Sequence, residues 1–333
     1  MLARGFFSRR GKGLAVGMVL AGTLADLDGI SAWFGPNAYL HWHRTYTHSL
    51  VGSLLVAAIG TVVALRLSTK QGDTESARND NKKVVANIAL AIAVAVIAHL
   101  LMDLGQSDGV TLLLPLASTR YAADILPGVD AWILALLILG IVVPELFRLV
   151  GSEIGAKDKN PRGRNGARVV VALILIYGGA RYVLHTHAVS ELDAHAYKGE
   201  SPRRVGAFAD ALSVFTWHGV AETRSLMCTM EAAVGLGQQF DAQAAYCQHK
   251  PESSAALELA EKTGAAREFL RVARFPKATV EKREDGYEVL IRAVQNEGES
   301  EIRQRLAARI VLDEKVRVTE EELVWAKDLG RRQ

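Results

Sequence analysis

The sequence predicts a mainly α fold: a polytopic transmembrane helical domain of about four to five helices over residues 1–187, then a smaller soluble α+β domain over residues 188–333. Three observations predict it. Half of the 333 residues are hydrophobic and only 23% are charged, and the mean hydropathy of +0.13 is high for a soluble enzyme. The long apolar runs all lie before about Leu184. The basic residues fall in alternate loops between those runs.

The elements follow in chain order. Met1–Lys12 is basic and Gly13–Ala25 apolar, the order of a secretory leader. No small-residue cleavage site follows; Asp26 and Asp28 do, so this first segment is read as retained. A span needs about 20 apolar residues, with a range near 17 to 25. Ser49–Leu65 and Val84–Met102 satisfy this. Ala131–Val150 carries Pro144 and Glu145 near one end. Gly13–Ala25 and Val169–Leu184 are short for a full crossing. Buried helices of a soluble all-α domain are the competing reading, and three long uncharged runs in one half disfavour it. Gly155–Gly166, rich in Lys, Arg, Asn, Gly and Pro, reads as a loop.

Arg4, Arg9, Arg10 and Lys12 precede the first segment. Arg66, Lys70, Arg78, Lys82 and Lys83 lie between the second and third. Arg148, Lys157, Lys159, Arg162, Arg164 and Arg168 lie between the fourth and fifth. The alternate loops, Asp26–His48 and Asp103–Asp130, contain only Arg44 and Arg120 as Lys or Arg. Positive-inside counting puts the N-terminus and the basic loops in the cytoplasm and, with five spans, the C-terminal half outside.

In that half, Glu252–Arg274 has helical composition and apolar spacing. Ala278–Val294 alternates about a Glu284-Asp285-Gly286 turn, and Arg305–Leu323 adds a strand-like stretch. Cys228 and Cys247 fit no zinc-finger spacing; a disulfide and two inert thiols both remain open. There is no basic stripe interleaved with aromatics, so no nucleic-acid surface is expected.

The ionisable residues of the membrane half gather on one side of this topology. Asp26 and Asp28 end the first segment; His41, His43, Arg44 and His48 precede the second. His99 and Asp103 close the third, Asp124 and Asp130 precede the fourth, and Arg181, His185 and His187 close the fifth. His99 and Asp103 are four apart and share a helix face, a common way to present two metal ligands. Asp26 and Asp28 flank Leu27, and in extended backbone their carboxylates point the same way. Two close carboxylates repel unless a cation or proton lies between them. That pair alone fits a solvated helix end equally well; the one-sided constellation selects metal binding. Imidazole and carboxylate together suit zinc, iron or manganese. His41, beside Trp42, reads as interfacial, and His185 and His187 diverge on a helix.

The motifs DLD (Asp26–Asp28), HRTYTHS (His43–Ser49) and HLLMD (His99–Asp103) resemble those of the membrane-bound, metal-dependent hydrolases of the YdjM-like group, which show D-x-D, H-R-x-x-x-H-S and H-x-x-x-D. LLLPLASTRYAADILPGVD (Leu112–Asp130) resembles that group's leucine-proline-phenylalanine-serine stretch, with Leu116 in place of phenylalanine and Ala117 intervening before Ser118. Gln106 and Asp108 stand where threonine and tyrosine are common. Phe215–Thr223 and Phe269–Pro276 are similar to segments of longer members. The resemblance implies the fold and the hydrolase activity.

The expected site is Asp26, Asp28, His48, His99 and Asp103 holding one or two divalent ions, zinc first. His43 is a further ligand or a general acid/base, and Asp124 and Asp130 support the ligands. Arg44 and Arg120 offer guanidinium forks suited to phosphate or carboxylate, which suggests a lipid or lipid-linked phosphoester as substrate. A salt bridge to an aspartate is the alternative for Arg44. A non-enzymatic cation or proton carrier, or a metal-stabilised scaffold, is the rival class.

Overall fold

The computed structural model describes residues 1–7, 11–68, 78–153, 163–235, 240–296 and 306–325. Arg9, Arg10, Lys70, Lys157, Lys159 and Arg162 of the basic loops, Arg305, and most of Gly155–Gly166 lie outside them. The chain divides into two compact units. One comprises Met1–Gly29, Trp42–Ala123 and Val129–Ala180; the other comprises Ile30–His41, Asp124–Gly128 and Arg181–Gln333.

Five helical stretches among the described residues are long and apolar enough to cross a membrane: Gly13–Phe34, Leu50–Leu67, Lys82–Leu104, Ala131–Val150 and Arg164–Ala194. After the short α1 (Leu2–Phe6), the first of them is α2 (Gly11–Leu24), continued by a 3-10 helix, Ala25–Phe34. α3 (Pro36–Trp42) follows, then α4 (Leu50–Ser68), α5 (Arg78–Leu104), α6 (Ala131–Glu153) and α7 (Arg164–Ala194). The fifth segment is longer than its apolar run suggested. At 1.5 Å per residue α7 reaches about 46 Å, more than the hydrocarbon thickness. The α-helical part of the first reaches only about 21 Å, so its crossing depends on the 3-10 continuation.

In the first unit α2, α4 and α5 pack on one another through Leu14, Met18, Val56, Ile88, Ile92 and Val96. Small residues permit the approach of α2 to α4. A Cβ on Gly17 would stand 2.6 Å from the Cβ of Ala64, and one on Gly60 would stand 2.7 Å from that of Ala21. In lipid, helices associate by such close packing rather than by the hydrophobic effect. The outward faces carry Leu54, Leu55, Ile59, Ile138 and Phe147, all exposed, as lipid-facing residues should be. The segment after α5 folds back: Val110 and Tyr121 exchange backbone hydrogen bonds of 2.9 Å each way, and Leu50 N–H donates to Leu112 C=O at the start of α4.

The second unit holds two four-stranded antiparallel sheets, each a meander. The first is β1 (Arg204–Ala209), β2 (Thr216–Glu222), β3 (Leu226–Ala233) and β4 (Tyr246–His249). Its core is built on Trp217, Ala221 and Cys228 together with Leu192 of α7 and Tyr197. Cys228 and Cys247, opposed across β3 and β4, form a disulfide. The second sheet is β5 (Pro276–Arg283), β6 (Gly286–Ala293), β7 (Leu306–Asp313) and β8 (Val318–Trp325). The hairpin about Glu284-Asp285 is as expected, and the strand-like stretch after it forms a second hairpin. The single helix expected over Glu252–Arg274 is two, α8 (Ala255–Glu261) and α9 (Gly264–Leu270). Thr263 breaks it: its side chain accepts from the N–H of Ala266 and caps a new helix.

Candidate metal centre

Three motifs converge at one end of the α2–α4–α5 bundle. Asp26 lies on the 3-10 turn that ends the first segment. His48 lies two residues before α4, and His99 and Asp103 lie one turn apart at the end of α5. One donor atom from each of Asp26, His48, His99 and Asp103 falls within 4.8 Å of the other three, a group that can hold a metal ion. His48 Nε2 is 3.2 Å from His99 Nε2. Asp103 Oδ2 is 3.1 Å from both ring nitrogens, and Asp26 Oδ1 is 3.6 Å and 3.7 Å from them. Donors about 2.0–2.2 Å from an ion in tetrahedral geometry stand about 3.3–3.6 Å apart. The five separations, 3.1–3.7 Å, are of the order that donors around a single metal ion show. Asp103 Oδ2 supplies a second test of fit: it is buried, faces both imidazoles at 3.1 Å, and has no well-directed hydrogen bond among the described residues. A cation satisfies such an oxygen. Asp26 is about half exposed while the other three are largely or wholly buried, so the group opens on the Asp26 side.

The remaining site residues hold these four. Asp28 sits on the other edge of the His48 ring. Its Oδ2 is 3.1 Å from His48 Nδ1 and accepts from Thr47 Oγ1 at 2.5 Å and from Arg44 N–H at 2.9 Å. Its Oδ1 is 3.0 Å from His43 Nδ1. Thr47 Oγ1 is also 3.0 Å from His48 Nδ1. Because that hydroxyl donates to Asp28, it is free to accept from an Nδ1–H of His48, the tautomer that leaves the Nε2 lone pair for the metal group. Burial works against a charged ring at His48, but Asp103, Asp26 and Asp28 outweigh it and push its pKa up to about 10. The pocket thus keeps a positive charge at neutral pH, as a proton or as a metal ion that replaces it.

Arg44 is buried, with a backbone φ of +56°. Its Nη2 donates to Asp103 Oδ1 at 2.9 Å and to Gln106 Oε1 at 2.8 Å. That fixes which oxygen of Asp103 faces the histidines. The salt bridge to an aspartate is therefore the reading of Arg44 that this geometry shows. Arg120 likewise bonds the turn, donating to His43 C=O at 2.9 Å and to Asp108 C=O at 3.3 Å. Thr111 Oγ1 donates to the carbonyls of Arg44 and Thr45. Asp130 caps α6, accepting from the N–H groups of Trp132 and Ile133 and from Tyr177 Oη. Asp124, in the second unit, pairs with Arg274 at 2.5 Å. His185 stacks on Trp217 with centroids 5.3 Å apart, and Arg181 covers the same indole at 4.4 Å.

Thr47, Gln106 and Thr111 were not expected from the sequence. Gln106 had a signal: it follows Asp103 by three residues, within reach of the group that pairs with Asp103. Thr47 had none beyond its place beside His48.

A model of the family described as YdjM inner membrane protein matches residues 1–188. No curated protein and no solved structure matches the chain.

Proposed function

The chain belongs to the YdjM inner membrane protein family, and from that premise we propose that it is a membrane-embedded, metal-dependent hydrolase. The observation that supports this most is the convergence of Asp26, His48, His99 and Asp103 into one four-donor group. Zinc is the ion proposed, because two imidazoles and two carboxylates at tetrahedral spacing suit it. A divalent ion bound there supplies Lewis acidity and makes hydroxide available near neutral pH.

The chain's own groups do the rest. His48 and His99 present Nε2, and Asp28 and Thr47 keep the His48 proton on Nδ1. Arg44 aims Asp103. His43, bonded to Asp28, is the proposed general acid/base, taking or returning a proton beside the group. Arg120 keeps His43 in place through its backbone carbonyl. The open side at Asp26 admits the substrate. A phosphoester of a lipid or lipid-linked molecule is the proposed substrate class: the group stands at the end of apolar helices, and a divalent ion there would polarise a phosphoryl oxygen. Arg44 and Arg120 serve here as positioning residues.

The site end is proposed to face outward, with the N-terminus cytoplasmic and the C-terminal sheets outside. The distribution of basic residues and the Cys228–Cys247 disulfide both support this.

The test is metal analysis of the purified chain with His99→Ala and Asp103→Ala, together with turnover of a phosphoester and lipid panel. Wild type is expected to carry one ion per chain and each variant to lose it, with chelator-sensitive turnover in wild type alone. Equal metal content in all three would remove the site. Metal retained in wild type without turnover of any substrate would favour the scaffold.

A further inference from the structure

The first unit has a second charged cluster, at the end of α2 remote from Asp26. Arg164 Nε and Arg168 Nε, four residues apart on α7, both donate to the carbonyl of Gly5 in α1, at 3.1 Å and 3.0 Å. Arg168 also lies over the Phe6 ring, 5.6 Å from its centroid. Arg4 joins them from α1: its Nη2 pairs with Glu145 of α6 at 3.2 Å, and its Nη1 is buried with no hydrogen-bond partner among the described residues. Glu145 is shared, because Arg148 reaches its other oxygen at 2.8 Å. Arg4 and Arg148 therefore share one carboxylate, while Arg164 and Arg168 share one carbonyl oxygen. Like charges four apart on a helix repel, and two on one carbonyl oxygen repel more. An anion relieves this arrangement, and a guanidinium fork suits a phosphate.

The surroundings choose among phosphates. Phe147 and Leu149 flank Arg148, and Val169 follows Arg168; all three side chains are exposed and apolar. A ligand at this cluster meets cations and an apolar helix surface together, which fits an amphiphile rather than a free ion. We propose that Arg4, Arg164 and Arg168 bind the headgroup phosphate of an anionic phospholipid, whose acyl chains lie along α6 and α7. The site is separate from the metal group and does not depend on its chemistry.

The experiment uses the full chain in detergent. Retained lipid is counted by native mass spectrometry after titration with phosphatidylglycerol or with phosphatidylcholine of the same acyl chains. Inorganic phosphate and phosphatidylglycerol are titrated in a parallel arm read by thermal unfolding. Wild type is expected to retain phosphatidylglycerol well above phosphatidylcholine. Arg164→Gln/Arg168→Gln should lower that retention by about five-fold for each arginine removed. Lys82→Gln/Lys83→Gln, at exposed positions of α5, should leave it unchanged. Should the double variant fail to fold, as judged by circular dichroism and gel filtration, Arg4→Gln leaves α7 intact and should lower retention about five-fold. Equal retention of the two lipids would overturn the proposal, as would an equal loss in the lysine control. So would stabilisation by inorganic phosphate as large as that by phosphatidylglycerol, which would assign the cluster to a free anion.

Discussion

At the residue scale, the two aspartates of DLD do different work. Extended backbone would send both carboxylates one way. The backbone is instead a 3-10 helix, in which residues two apart differ by roughly 240° about the axis. Asp26 accordingly faces the Nε2 edge of His48 and Asp28 its Nδ1 edge. Alternation alone could not reveal this, because the turn depends on how the segment ends against its neighbours. Asp26→Asn is thus expected to remove a ligand, whereas Asp28→Asn keeps one ion per chain but weakens its binding by roughly 10- to 100-fold. Titration with a competing chelator distinguishes them, and loss of stoichiometry in Asp28→Asn would return Asp28 to the ligand set. The proton on His48 adds a pH dependence. Its folded pKa of about 10 lies above the ordinary value of 6.5. In metal-free protein it therefore stabilises the fold fully below 6.5, and that contribution is lost as pH rises through about 10. A metal ion must displace the same proton, so affinity is expected to rise about tenfold per pH unit between 7 and 9. Calorimetry in buffers of different ionisation enthalpy should report proton release on binding; release of none at pH 7.5 would contradict the assignment.

At the element scale, legibility followed the range of the interactions. His99 and Asp103 were readable as a pair because the period of α5 alone brings them together. The one-sided gathering of polar groups was readable because each apolar run has only two ends. Thr47, Gln106 and Thr111 were not readable, because their roles depend on the 105–123 segment folding back on the HRTYTHS turn. The same limit hid the first β-sheet, whose strands include no alternating run as clear as β5 and β6, and it hid the cap at Thr263. The packing of α2 on α4 is likewise not legible in the sequence, although these helices lead to Asp26 and from His48. Gly60 controls their approach directly. Gly60→Leu pushes against Ala21, the Gly17 carbonyl and Ile92 and is expected to destabilise the bundle by about 1–3 kcal/mol. Metal affinity should fall with it, although residue 60 touches no ligand. Thermal unfolding in detergent with and without zinc measures both. Unchanged unfolding would mean that the two helices do not meet there.

At the scale of the whole molecule, the five candidate spans and the disulfide bear on one question. An odd number of crossings puts the two ends of a chain on opposite sides, so the basic N-terminus and the sheets are separated by the membrane if all five helices cross. A disulfide between β3 and β4 persists on the oxidising side, and closing its loop contributes about 3 kcal/mol. These are independent observations, one from charge in the first half and one from sulfur in the second, and both agree with the proposed orientation. The two cysteines are the only ones in the chain, so labelling can test it directly. In spheroplasts, a membrane-impermeant maleimide is expected to label nothing before reduction and both Cys228 and Cys247 after it. In a Cys228→Ala/Cys247→Ala background, Lys83→Cys, near the start of α5, should label only once the membrane is opened. Labelling of Lys83→Cys in sealed spheroplasts would invert the topology and place the metal group on the cytoplasmic side. Failure of both positions to label from outside would instead mean an even number of crossings. The first α-helical stretch, about 21 Å long, would then be the span to remove, and Asp26 would have to reach His48 from a segment that enters the membrane and returns.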